Sequence, residues 1–333
     1  MPARVNRLLH HGGRLREAAA RYGNPAAGWI DLSTGINPHG WPVPPIPDSA
    51  WARLPDDDEL EQNALTYYGA RHLLPVAGSQ AAIQALPQLR ASSRVGVLVP
   101  DYSEHAHAWQ RAGHQVMSVA ADDISARLNH FDLLVLSNPN NPTGRTFPRE
   151  QLLAWHQQLA ARGGWLVVDE AFMDVTPEQS LAPHSSRPGL IVLRSLGKFF
   201  GLAGARVGFV CAGLELLSRL EHLLGPWTIS GPARHVACLA VQDRRWQVIT
   251  RRRLARQGER LRALLTHRGY APDGGCTLFQ WHCTPRAGQL QEQLASRGIL
   301  IRCFDHPSSV RFGLPREEAD WRRLDAALAE IEP

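Results

Sequence analysis

The chain has 333 residues, a formal net charge of +5, and 44% hydrophobic and 20% charged residues. These values suit a globular protein with a large core and exclude fibrous or disordered chains. No apolar run reaches membrane-spanning length, and the five cysteines are scattered, odd in number and without a C-x-x-C pair, which argues against a disulfide framework or a zinc site.

Near the start, Arg4 and Arg7 are not followed by an apolar signal core, so a cytoplasmic protein without a membrane partner is expected. The first segment, to about residue 47, is rich in proline and glycine, with Asn37-Pro38, Pro42, Pro44, Pro45 and Pro47, and is expected to be an extended arm rather than a helix. From about residue 70 short apolar runs alternate with helical patterns, as in a wound, mostly parallel sheet. Strands are expected at 94–100, 114–119, 132–138, 165–169, 190–195 and 206–211, all continuous in Val, Ile and Leu as strands covered on both faces should be. Helices are expected between them at 79–89, 104–112 and 149–161. After Gly225-Pro226 the character changes: one long helix over 241–267 leads to strands at 277–283, 299–304 and 309–312 and a closing helix at 316–331. The fold class is α/β, with an arm (1–47) packing on a small domain, a large domain (48–228) and a small α+β domain (229–333). Within the long helix, Arg251, Arg252, Arg253 and Arg256 accompany Glu259, which reads as a solvated face and not a nucleic-acid footprint.

In an open α/β sheet, ligands bind beyond the carboxyl ends of the strands. Tyr102, Asn138 with Asn141, Asp169, and Ser195 with Gly197 and Lys198 stand at the carboxyl ends of four of the expected strands, and Arg206 opens the next. Lys198 is the only lysine in the chain. Arginine replaces lysine on most surfaces, but guanidinium stays protonated and cannot serve where a neutral amine must attack a carbonyl. A lone lysine in an arginine-rich chain is therefore a candidate nucleophile. Gly78-Ser79-Gln80 opens a helix, which is an ordinary N-cap or, with its free N–H groups, a phosphate cradle.

The segment 195–208, with Ser195 three before the lysine, Gly201 and Gly204 three and six after it, and Arg206 eight after it, resembles the lysine signature of fold-type-I pyridoxal-phosphate enzymes, the aspartate aminotransferase superfamily. The resemblance implies pyridoxal 5'-phosphate held as an imine on Lys198 and no metal. It implies that Asp169 keeps the pyridine nitrogen protonated, so that the ring accepts electrons from the substrate Cα. Tyr102 stacks on the ring, Asn141 meets the phenolic oxygen, and Gly78, Ser79, Gln80, Ser195 and Arg206 bind the phosphate. Arg311, assisted by Arg302, holds the substrate carboxylate.

Along nearly the whole chain the resemblance points to the branch that holds histidinol-phosphate aminotransferases and the threonine-phosphate decarboxylases of cobalamin biosynthesis. His10-His11-Gly12-Gly13 and the run 31–40, with Ser33 and Asn37, look like the decarboxylase arm, so His11, Gly12, Ser33 and Asn37 are expected to meet a small phosphorylated amino acid. The implied reaction is decarboxylation of L-threonine O-3-phosphate by a homodimer. A histidinol-phosphate aminotransferase uses the same cofactor residues and stays an alternative. A non-catalytic pyridoxal-phosphate sensor is disfavoured because no helix-turn-helix pattern precedes the arm. Two departures stand out. Phe172 occupies the place of a tyrosine that touches the phenolic oxygen, and Leu54 that of a tyrosine reaching the partner subunit, for which Tyr67 or Tyr68 is a candidate substitute.

Overall fold

The computed structural model describes residues 11–55 and 59–332; Arg4, Arg7 and His10, and Asp56 and Asp57 near Leu54, lie outside them. The strands are Ile30–Asp31 (β1), Leu73–Val76 (β2), Arg94–Val99 (β3), Gln115–Ala120 (β4), Leu133–Ser137 (β5), Trp165–Asp169 (β6), Leu190–Ser195 (β7), Gly208–Cys211 (β8), Gly274–Cys276 (β9), Phe279–Cys283 (β10), Ile299–Leu300 (β11), Arg302–Asp305 (β12) and Ser308–Gly313 (β13). β2 to β8 form a seven-stranded sheet in the order β2-β8-β7-β6-β5-β3-β4. β4, β3, β5, β6 and β7 run parallel, while β8 is antiparallel to both β7 and β2. β2, which the apolar pattern did not reveal, contains Pro75 and lies at the edge, where a missing N–H costs least.

Both faces of this sheet are covered, and successive residues of each parallel strand enter different cores. Leu134, Leu136, Leu166, Val168, Leu190 and Val192 pack on one side, and Leu133, Val135, Trp165, Val167, Ile191 and Leu193 on the other. That double burial is why these strands read as unbroken apolar runs.

The carboxy-terminal part holds an antiparallel sheet ordered β12-β13-β10-β9, closed by the helix Glu318–Ala329 with a Glu317/Asp320 capping box. The amino-terminal segment joins it: β1 pairs in parallel with β11, and the Gly313 N–H donates to the Leu32 carbonyl. Among the described residues no helix is long and apolar enough to cross a membrane.

Several expectations need correction. The arm is not extended throughout, because Leu15–Tyr22 is helical; its Arg-Glu-Ala-Ala-Ala core favours helix, and the prolines that oppose helix follow it, at Pro25 and from Pro38 onward. The helix expected over 79–89 ends at Ala85 and tightens into a 3-10 turn, Leu86–Leu89, that carries Pro87. The strand expected over 299–304 is split at the buried Ile301 between two sheets. The helix expected over 241–267 starts at Arg244, and a separate helix, Gly231–Gln242, precedes it. The break is at Asp243, whose carboxylate accepts from the Trp246 N–H at 2.9 Å and from the Trp41 indole at 3.1 Å.

Asp243→Ala removes that cap and is expected to lower unfolding stability by about 1–2 kcal/mol, with Asp243→Asn losing less. Urea unfolding midpoints check this; an alanine variant as stable as the parent refutes the assigned break.

Candidate active site

Several chain segments meet at the carboxyl edge of the main sheet. β6 ends on Asp169 and β7 on Ser195, which are buried, with Lys198 three residues further. The lysine loop is pinned from outside: the Asn37 N–H donates to the Lys198 carbonyl and the Asn37 amide to the Phe199 carbonyl at 2.8 Å. The Lys198 amine donates to the Thr34 carbonyl at 3.3 Å and lies 5.4 Å over the Phe172 ring. Burial, then the guanidiniums of Arg311 and Arg206, push this amine down to about 8 against the opposing pull of Asp169. An amine so tuned is neutral in a substantial fraction near neutral pH, which nucleophilic attack on a carbonyl requires.

Asp169 accepts from the Ala171 N–H at 3.0 Å, and its other oxygen lies 3.1 Å from Nε2 of His105. His105 is fully enclosed. Burial opposes its charge, but the hydrogen bond and charge of Asp169, with Asp101 and Glu104 nearby, raise its pKa on balance, so the imidazolium form is favoured beside the carboxylate. Sequence reasoning missed this residue. Its only signal is a spacing of three from Tyr102, which puts both on one side of the helix start at Ser103. Asp101 accepts the N–H groups of Ser137 and Tyr102, each at 2.7 Å, and so ties the ends of β3 and β5 together; burial raises its carboxyl to about 6. Tyr102 donates its phenol to Gln80 at 3.1 Å.

Opposite them, Gly78 adopts φ +71°, and a Cβ there would lie 2.5 Å from the Arg206 guanidinium. A Cβ on Gly208 would lie 2.5 Å from the Ser79 nitrogen. Only glycine leaves room for this cradle of N–H groups and guanidinium. Arg206 does not open the strand as expected: it ends a 3-10 turn at φ 55°, a left-handed conformation costly for a non-glycine residue, and β8 starts at Gly208. That turn aims its side chain under Gly78. The Ser195 hydroxyl accepts from the Gly197 N–H at 3.2 Å.

Arg311, nearly fully buried, donates to Asn141 Oδ1 and, at 2.8 Å, to the Ser33 carbonyl. Its Nε has no hydrogen-bond partner among the described residues. Burial and the neighbouring Arg302 lower its pKa to about 10. The two arginines sit directly across β12 and β13 from each other, so their side chains share a face, and both guanidiniums approach the Phe304 ring. Of the arm residues, His11 contacts Glu104 at 2.7 Å and Gly12 lies against Ser33. Asn37 and Ser33 are occupied by backbone and side-chain partners of the arm and lysine loop. Phe172 is buried against Phe279 and brings no hydroxyl. Tyr67 and Tyr68 do not substitute for the tyrosine absent at Leu54: the Tyr67 hydroxyl bonds Asp174 and Arg251, and the Tyr68 ring packs under Arg194 inside the subunit.

The donor set fits the group implied by the resemblance: a desolvated amine, an inward carboxylate backed by an imidazole, an aromatic ring, and a glycine cradle closed by a guanidinium.

Residues 29–327 match the family described as aminotransferase class I and II. A Pseudomonas aeruginosa protein named threonine-phosphate decarboxylase is 58% identical over 322 residues, covering 96% of this chain and 97% of its own. One from Sinorhizobium sp with the same name is 44% identical over 330 residues, covering 97% and 98%. The solved structure of histidinol-phosphate aminotransferase from Sinorhizobium meliloti in complex with pyridoxal-5'-phosphate has the same fold, with a TM-score of 0.83 at 23% identity over 98% of this chain and 95% of that one.

Because Lys198 is the sole lysine, its titration is directly measurable. In cofactor-free protein, acetylation of the Lys198 peptide, followed by mass spectrometry against pH, is expected to reach half its limiting rate near 8. A midpoint at the ordinary 10.5 would contradict the desolvated amine.

Proposed function

The chain belongs to the aminotransferase class I and II family, and from that footing we propose that it is a pyridoxal-5'-phosphate enzyme that releases carbon dioxide from L-threonine O-3-phosphate. The observation that carries this reading is the position of the only lysine: its partly buried amine stands among Asp169, Arg206 and Arg311 at the carboxyl edge of the sheet. The names of the two relatives support the choice of substrate.

Lys198 would hold the cofactor covalently, Ser79, Gln80, Ser195 and Arg206 would bind its phosphate beside Gly78, Tyr102 would face its ring, and Asn141 would meet its phenolic oxygen. Such a cofactor supplies an electron sink for the pair released when a bond at the substrate Cα breaks. Asp169, whose carboxylate lies 3.1 Å from Nε2 of His105, would face the pyridine nitrogen. The substrate carries two anionic ends, and Arg302 and Arg311 lie side by side on one face of the small sheet. Arg311 grips the carboxylate through the fork of its guanidinium and fixes its direction relative to the ring. The phosphate end lies toward Arg302 and the arm residues His11 and Gly12, with Ser33 and Asn37 shaping the arm behind them. Lys198, free again once the substrate amine has displaced it, would be placed to return a proton to Cα, a task suited to an amine poised near 8.

The same reading divides the chain into an arm (1–47), a large domain (48–228) and a small domain (229–333), and makes it a cytoplasmic homodimer acting in cobalamin biosynthesis. Exposed Trp51, Leu54 and Trp227 are apolar surface of the kind a subunit contact covers.

Purified protein given L-threonine O-3-phosphate is expected to release carbon dioxide without an added keto acid, and Lys198→Ala to lose at least about a hundredfold of that rate. Turnover only with histidinol phosphate plus 2-oxoglutarate would assign an aminotransferase instead.

A further inference from the structure

Glu104 has entered so far only as a neighbour of His105 and of His11, yet its carboxylate is heavily engaged at the rim of the site. It sits in the first turn of the helix Ser103–Arg111, where the positive helix end favours a carboxylate. Its side chain is 13% exposed, so most of its hydration must be replaced by protein donors. Three such donors converge on it. Gln80 and Gln84, on one face of the helix Ser79–Ala85, donate to one oxygen at 2.9 and 3.0 Å, and Nε2 of His11 lies 2.7 Å from the other.

Each connection leads to a wall of the site. Through Gln80, whose carbonyl accepts the Tyr102 phenol at 3.1 Å, Glu104 sets the ring that faces the cofactor pocket. Through His11 it holds the arm, and the His11 ring lies 5.7 Å from that of Tyr102. Beyond His11 the arm is packed tightly: a Cβ on Gly12 would lie 2.4 Å from the Ser33 carbonyl oxygen, and the Gly13 N–H donates to the Ser33 hydroxyl at 2.8 Å. The Ser33 carbonyl in turn accepts from Arg311 at 2.8 Å. One unbroken line of contacts therefore runs from Arg311 through Ser33, Gly13, Gly12, His11, Glu104 and Gln80 to Tyr102. In this line the arm meets the main sheet domain at the His11–Glu104 contact.

We infer that Glu104 is the positioning residue that latches the arm across the active site, holding His11 and Tyr102 in register so that a phosphorylated substrate meets a preformed pocket. The inference rests on the reading of the site as one for an amino-acid phosphate. Its physical basis is preorganisation: an arm already held at His11 does not have to be ordered by the substrate, so its ordering is not subtracted from affinity.

The test compares Glu104→Ala, His11→Ala and the double variant with the parent, all as cofactor-loaded protein, with Glu104→Gln as a variant of unchanged shape. Two quantities are read: KM and kcat for L-threonine O-3-phosphate, and the rate of trypsin cleavage after Arg14, Arg16 and Arg21 of the arm. Each alanine variant is expected to raise KM roughly tenfold to a hundredfold, the loss falling on KM more than on kcat. Each is also expected to speed arm cleavage, and the double variant to be no worse than the worse single one, because both remove the same link. Glu104→Gln falls between, since its amide keeps one acceptor oxygen for the two glutamines but presents an NH2 group in place of the oxygen that meets His11. Additive losses in the double variant, or arm cleavage at the parental rate in Glu104→Ala, would overturn the latch. Cleavage is read without turnover, so a protein lacking decarboxylase activity still tests the latch, and an active decarboxylase with an arm indifferent to Glu104 rejects the latch alone.

Discussion

The site depends on keeping a lysine amine largely out of water while leaving it reactive. Burial and two guanidiniums favour the neutral form of Lys198, and Asp169 restrains the shift, so the amine rests between a fixed ammonium and an inert buried base. The balance is set by geometry. β6 and β7 run parallel and adjacent, which brings Asp169 and the lysine loop to the same edge of the sheet. Any slip between them would alter every charge–charge distance at once.

A buried ion-pair cluster stands where such a slip would occur. Glu170, directly after Asp169, and Arg194, directly before Ser195, meet at 2.5 Å; Arg194 also reaches Asp174 at 2.5 Å, and all three are enclosed. Glu170 accepts the Leu181 N–H and the Ser180 hydroxyl as well. Buried ion pairs repay little net stability, since desolvation offsets their attraction. Their value here is directional: the pair joins the ends of two neighbouring strands beside the residues that flank the site. The cluster extends through Tyr67 to Arg251 on the long helix, so the sheet and that helix are tied by polar contacts as well as apolar ones.

The proposed substrate side is built differently. Arg302 and Arg311 come from a small antiparallel sheet, His11 and Gly12 from the arm, and the arm reaches the small sheet through β1 and β11. Polar groups from separate chain segments thus come together here. Two like charges across adjacent strands would repel, and burial compounds this by lowering the pKa of both. Such an arrangement is costly alone and is relieved by a ligand with two negative ends, a requirement an amino-acid phosphate meets.

What the sequence determined by itself was whatever depends on local pattern. Continuous apolar runs marked the parallel strands, since burial on both faces leaves no polar position to hide them. The lone lysine and its glycine spacing marked the reactive loop, because no other residue supplies that amine. Tertiary structure decided the rest, where the cause lies in contacts between residues far apart in the chain. His105 is an ordinary helical histidine until β6 brings Asp169 to it. The split at Ile301 exists because two different sheets claim its neighbours, and the break at Asp243 because its carboxylate caps one helix while receiving the Trp41 indole. The helix at Leu15–Tyr22 was masked by the proline content of the segment around it. Arg302 and Arg311, nine positions apart in the chain, become a pair only through the register of β12 and β13, and no local propensity encodes which strand lies opposite which.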